Sequence, residues 1–351
     1  MVGRVMSLLT NFLKRGFLSG NGATLALVIA VASYGLAVYA RPTESTTEFN
    51  AARAITDVEC VGWHAGNSAM RQRLIVANGD EVTSGSTADV TIGTQLKGLL
   101  PGASRETDLK SGNFKHIAAE GDAANRISAL MLASKTSGDS TGLAVDNCRT
   151  PAQNWWFAGI DTQAGYTQNL ILTNPDDAET VATLNAYTED GKTSMTEYEH
   201  IVVPPNGTTV VDLTRAIPGV TSAALQVRVV DGRLTANIQT DVVNGVAQVG
   251  RSFNSPVESL STQTVIVGLR SNSVAPRLHL VSPHADSIVS VILHTTDGAF
   301  PINDATDINL DSGVVKTIDL SDIIQTSKSA IEIVSDQPLL ASVTQIGRAH
   351  V

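Results

Sequence analysis

One stretch of this chain is written twice, and a fainter version of it a third time. Asn169-Leu-Ile-Leu-Thr-Asn-Pro175 lines up with Arg277-Leu-His-Leu-Val-Ser-Pro283. The turn Glu189-Asp-Gly191 matches Thr296-Asp-Gly298, and Val211-Asp-Leu213 matches Ile318-Asp-Leu320. Upstream, Leu100-Pro-Gly102 followed by Thr107-Asp-Leu109 echoes Val203-Pro-Pro-Asn-Gly207 followed by the Val211 motif, and Arg126–Ala133 echoes Arg233–Gln239. A repeat of long period fixes the architecture before any single residue is weighed. Each copy has roughly 90 residues, enough to bury one core. The chain is therefore expected to consist of two or three tandem modules.

The clearest copy begins at Trp155. Leu170 and Leu172 alternate with Asn169 and Ile171, the period-two pattern of a half-buried strand. Asn174-Pro-Asp-Asp177 and Pro204-Pro-Asn-Gly207 carry turn chemistry. Asp190-Gly191 after Val181–Tyr187 predicts a tight hairpin of type I′. Counted through Ile238, the copy holds six or seven short strands with turns about every ten residues, the signature of an antiparallel sandwich. The expected boundaries are modules at 55–150, 151–250 and 264–345, the last truncated, with a polar linker at 251–263. Short helical turns are expected near 214–217 and 321–324.

The N-terminus bears a membrane signal. Residues 23–40 (ATLALVIAVASYGLAVYA) contain no charge and no Pro, and can just span ~30 Å of hydrocarbon as a helix. Arg4, Lys14 and Arg15 precede them, so residues 1–22 are expected to stay cytoplasmic and the bulk of the chain to face outward. The segment is either an uncleaved signal anchor or a signal peptide cut after Val38-Tyr39-Ala40, the latter giving a secreted protein. Residues 41–54 read as a polar stalk. In an oxidising compartment the two cysteines, Cys60 and Cys148, are expected to pair. A net charge of −10 argues against nucleic acid, which needs clustered Lys and Arg. Ile346–Val351 breaks the strand pattern and reads as a non-native tail, so His350 belongs to no site.

Candidate chemistry is sparse. Trp155-Trp156-Phe157 is the densest aromatic cluster in a chain with only 4% aromatics. On a strand the two Trp side chains face opposite ways, so one belongs to a core. The other either plugs a junction between modules or lies exposed, where it could stack on a sugar or anchor a partner. His279, His284 and His294 share one copy but match no ligand spacing. Asp176, Asp177, Asp190 and Asp231 fall in turns without an EF-hand pattern. There is no nucleophile-elbow motif and no phosphate loop. Neither a catalytic residue, a metal nor a cofactor is expected, and the chain is not expected to be an enzyme.

Trp155-Trp-Phe-Ala-Gly159, Leu170-Ile-Leu-Thr-Asn-Pro175, Tyr187–Gly191, Val203-Pro-Pro205, Val211-Asp-Leu213 and Ser335-Asp-Gln-Pro338 together resemble a bacterial domain family of unknown function. That family occurs in actinobacterial membrane-anchored or secreted proteins. Gly142-Leu-Ala144, Cys148 and Pro151 also fit its actinobacterial branch. The resemblance spans about residues 140–344. It departs in the last copy, where Val265-Ile-Val-Gly268 replaces the aromatic opening. It implies tandem Ig-like β-sandwiches outside the cytoplasm and no activity. The expected function is structural or adhesive: holding a surface module in the cell envelope and contacting an envelope glycan or an envelope protein. The alternative is a carbohydrate-binding accessory to an envelope glycosyltransferase or hydrolase.

Overall fold

A computed structural model describes residues 55–346 apart from 65–69, 80–86, 111, 121–123, 136–141, 246, 270, 272–273, 303–304 and 325–327. The expected membrane segment at 23–40, the stalk at 41–54 and all but the first residue of the expected tail lie outside the described residues. Among the described residues no helix is long and apolar enough to cross a membrane. The protein is all-β, made of several antiparallel sheets.

The first segment contains β1 (Ile55–Val61), β2 (Arg71–Asn78), β3 (Ala88–Ile92), β4 (Gln95–Leu99), β5 (Ser104–Leu109), β6 (Phe114–Glu120), β7 (Ile127–Lys135) and β8 (Gly142–Asn147). They form two sheets, ordered β1-β6-β3-β4 and β5-β2-β7-β8. Alternation decides what each sheet buries: along β2, Gln72, Leu74, Val76 and Asn78 are buried while the residues between them are not. Leu74, Val76, Val90, Ile117 and Met131 come from both sheets and share one core. Each such side chain withdrawn from water stabilises the fold by about 1.5–3 kcal/mol. The disulfide Cys60–Cys148 joins β1 to the residue just beyond β8.

The second segment contains β9 (Asn154–Ile160), β10 (Tyr166–Asn174), β11 (Thr180–Thr188), β12 (Gly191–Thr193), β13 (Ile201–Val203), β14 (Gly207–Asp212), β15 (Ala223–Asp231), β16 (Thr235–Asn244) and β17 (Ala247–Asn254), with a single-turn helix α1 (Leu213–Ala216). Its sheets are β12-β11-β15-β9, with β13 also on β11, and β14-β10-β16-β17. Strand for strand this is the order of the first segment. Residues 251–263 are not a simple linker. Arg251–Asn254 lie in β17, and Val257 pairs by two backbone hydrogen bonds with Trp156.

The third segment contains β18 (Ser261–Leu269), β19 (Val274–Val281), β20 (Ser287–Thr295), β21 (Gly298–Pro301), β22 (Ile308–Leu310), β23 (Val315–Asp319) and the 18-residue β24 (Ser329–Ile346). The first half of β24 pairs with β18 and β20, and its second half with β19, which also carries β23. One long strand thus does the work of β6 plus β7, or β15 plus β16. The change of partner falls at Ser335-Asp-Gln-Pro338, where the Asp336 carboxylate accepts hydrogen bonds from Ser287 Oγ (2.9 Å) and Ile288 N (2.8 Å). β24 runs through Ile346, the first residue of the expected tail.

This order departs from the immunoglobulin one, where the second strand sits between the first and the fifth. Here the second strand of the first segment, β2, lies between β5 and β7, that of the second, β10, between β14 and β16, and that of the third, β19, between β23 and β24. Alternation and turns define strands and faces, but leave the pairing order open. The Asp-Gly hairpin differs in detail too. Gly191 has φ +105° while Asp190 has no positive φ, so the turn is not type I′.

The repeated motifs are structural. Asn78 Nδ2 donates to Leu99 O (3.0 Å), and Asn174 Nδ2 donates to Ala178 O (2.7 Å) and Val203 O (3.3 Å), closing equivalent turns. Asp212 caps α1 by accepting from Thr214 N (2.9 Å), and Asp319 accepts in the same way from Ser321 N (2.8 Å). Leu213 and Leu320, next along, are fully buried.

Candidate functional site

The two Trp side chains of β9 do face opposite ways, and both are buried, at 1% and 2% exposure. Trp155 joins the core of the second segment and its Nε1 donates to Leu234 O at 2.9 Å. Trp156 enters a separate cluster with Tyr187, Ala224, Val281, Val315 and Leu340, against His284 at a ring separation of 6.0 Å. Neither ring offers a face to solvent, so these two residues build no sugar platform. Trp156 fills the seam between the second and third segments.

The same seam holds a cleft of about 500 Å³. Its shape follows from a bulge in β9. Ala223 pairs with Ile160 and Ala224 with Ala158, leaving Gly159 unpaired at φ +75°. A Cβ there would collide with Thr344 and come within 3.1 Å of His279, so only glycine lets β9 approach the third segment this closely. Asp161, Tyr166 and Gln168 line one wall, and Arg277, His279 and Ser342 another. Gln168 Oε1 accepts from Asp161 N (3.0 Å) and its Nε2 donates to Thr240 Oγ1 (3.0 Å), fixing the first wall. Burial raises the Asp161 carboxyl above its ordinary range and raises the Tyr166 phenol as well, the latter helped by Asp161. Ser342 Oγ is buried without a hydrogen-bond partner.

His279 is a strut rather than a base. Its Nδ1 lies 2.8 Å from Ser222 Oγ and its Nε2 2.8 Å from Thr344 Oγ1. Burial, seconded by the Arg277 charge, pushes its pKa down to about 4. An imidazole that acidic is a poor general base near neutrality. His284 stays with Trp156, and His294 pairs with Glu332 at 2.7 Å, so the three histidines do not converge. The acidic turn residues are also occupied: Asp176 takes Arg233 and Asp177 takes Asn206.

At the seam between the first and second segments, Trp63 packs edge to face on Phe253 at 5.0 Å. Gln239 of β16 spans this seam, accepting from His64 N (2.7 Å) and donating to Gly62 O (3.1 Å). Asp146 accepts from Arg149, Asn237 and Ser255. On the outer face of β1, Asp57 and Glu59 stand two residues apart. His116 of β6 lies directly across from Glu59 in register. His116 Nδ1 is 2.6 Å from Glu59 Oε1 and 3.3 Å from Asp57 Oδ1. Arg233, from the β15–β16 turn, reaches Asp57 Oδ2 at 3.1 Å and Asp176 at 2.9 Å. Desolvation raises the Glu59 carboxyl, and the Glu59 hydrogen bond raises the His116 imidazole. Sequence reasoning missed this group. The Asp-x-Glu spacing on one strand face was visible, but the strand bringing His116 beside it was not.

No curated protein matches this chain. A family model does match residues 103–349, well over half of its length, and the chain accordingly belongs to DUF5719, a family of unknown function.

Proposed function

We propose that this chain is an extracytoplasmic, membrane-anchored structural or adhesive protein of the bacterial cell envelope, built of three tandem sandwich modules locked to one another. The observation that carries this reading is the filling of both seams. Trp63 and Phe253 close the first and Trp156 the second, each backed by buried side-chain hydrogen bonds. A chain that spends its few aromatics on stiff junctions is suited to holding something at a fixed position. The non-sequential strand order favours tandem sandwiches over propeller blades, which are meandering four-stranded sheets. Outward placement is supported by the apolar run at 23–40 with its basic N-terminal flank, and by a disulfide of a kind that persists in oxidising compartments. No catalytic role is part of this reading.

The cleft favours a second reading, recognition of an envelope glycan. It combines one cation, one carboxylate, amide groups and a Tyr ring, which suits a neutral, hydroxyl-rich ligand. Arg277→Ala would then abolish saturable binding to a glycan panel.

The leading reading is tested in spheroplasts. External protease should degrade the modules while a cytoplasmic marker stays intact, and Cys60 and Cys148 should resist alkylation until reduced. Protection of the modules together with freely alkylated thiols would place the chain inside the cell and end the proposal.

A further inference from the structure

We propose that Asp57, Glu59 and His116 form a binding site for a divalent transition cation of the zinc type, at the seam between the first and second segments. One donor atom from each residue lies within 4.8 Å of the others, and among the described residues no other group of three converges in this way. Register makes the convergence. Asp57 and Glu59 share a strand face by alternation, and His116 is the cross-strand partner of Glu59.

Two further observations point to a missing cation. The Glu59 side chain is wholly inaccessible, yet its Oε2 has no hydrogen-bond partner. Oδ1 of Asp57 is likewise buried without one. Buried carboxylate oxygens left unsatisfied are costly, and each asks for an explanation such as an ion. Charge gives the second: Asp57, Glu59 and Asp176 set three carboxyl groups around the single guanidinium of Arg233. Arg233 occupies Asp57 Oδ2 and leaves Oδ1 toward His116, as an outer-sphere partner orients a ligand.

The donor set chooses the metal. An imidazole nitrogen with two carboxylate oxygens suits zinc or cobalt better than calcium or magnesium, which take six or more oxygens. The half-exposed His116 ring provides the way in, and a small opening of its contact with Glu59 admits an ion at about 2.1 Å from each ligand. Because Arg233 belongs to the second segment, the bound ion would also pin that segment to the first.

The test is titration of the chelator-stripped full chain with Co²⁺, read by visible absorption, and with Zn²⁺, read by calorimetry. One equivalent should bind saturably, with d–d bands of low-symmetry cobalt, and Zn²⁺ should raise the thermal midpoint. His116→Gln and Asp57→Asn, both at partly exposed positions and verified as folded by circular dichroism, should each weaken binding by about 100-fold or more. The absence of saturable binding, unchanged affinity in both variants, or equal affinity for Ca²⁺ and Mg²⁺ would each overturn the proposal.

Discussion

Trp63 and Phe253 meet edge to face, 5.0 Å between ring centres and 72° between planes, one two residues beyond β1 and the other in β17. Trp156 plays the matching part at the second seam, and Trp155 lies within a core. The three tryptophans of the chain are therefore all interior.

The two kinds of burial separate by calorimetry. Trp155→Ala empties a core and should cost about 3–5 kcal/mol, lowering the transition of the second segment itself. Trp156→Ala removes a seam plug while leaving the cores of the second and third segments intact. It should split the joint transition of the second and third segments into two. A single sharp transition in Trp156→Ala would show that the seam contributes little to coupling.

The disulfide closes a loop of 88 residues, for which the chain-entropy model gives about 4.5 kcal/mol. Replacing Cys60 and Cys148 together by Ala should move the denaturant midpoint of the first segment by a corresponding amount. The third segment, which the bond does not touch, should unfold as before. An unmoved midpoint would mean that the unfolded first segment is already as compact without the cross-link.

Much of this was legible in the sequence. The strands, their turns and the fainter copy's echo in Leu100–Leu109 follow from alternation and local turn chemistry, which are short-range, and the partnering of Cys60 with Cys148 follows from there being two cysteines in a chain expected to face an oxidising compartment. The pairing order was not legible, because β10 chooses β14 and β16 by long-range fit of whole faces. The placement of Trp156 was legible in part: a plug between modules was one of its two readings, but its strand face is the same whether it meets solvent or Val281, and the bulge at Gly159 lets the third segment close on it. His116 was hidden for the same reason, being 57 residues from Glu59 and joined to it only by register.

The two seams should respond to pH in opposite senses. His116 has a raised pKa, so its contribution is complete below 6.5 and fades as pH rises through the folded value. Glu59, also raised, adds to the same trend, present below 4.5 and lost on the way up, with Asp57 and Arg233 as neighbours. His279 is depressed from 6.5 to about 4, so its contribution is complete above 6.5 and is lost as pH falls toward 4, by about 3 kcal/mol. Unfolding of wild type, His116→Gln and His279→Gln across pH 4 to 9 checks this. Subtracting the His116→Gln curve should leave a component falling above pH 6.5, and subtracting the His279→Gln curve one falling below it. Parallel curves would remove both histidines from the stability of the seams.

Gly159 is the position where the least change should do the most. At φ +75° an Ala is strained by about 1 kcal/mol or more, before any contact is counted. Its Cβ would also press on Thr344 and His279, one from β24 and one from β19, both backed by hydrogen bonds that resist displacement. Relief requires the third segment to move away from β9, which opens the cleft and withdraws Val281 and Leu340 from Trp156. Gly159→Ala should therefore red-shift Trp fluorescence and raise protease sensitivity near residues 255–260, while the disulfide-bonded first segment keeps its own midpoint. A variant with wild-type fluorescence and wild-type proteolysis would mean that β9 can shed the bulge without loosening the seam, and that the close approach at Gly159 is not what keeps the junction rigid.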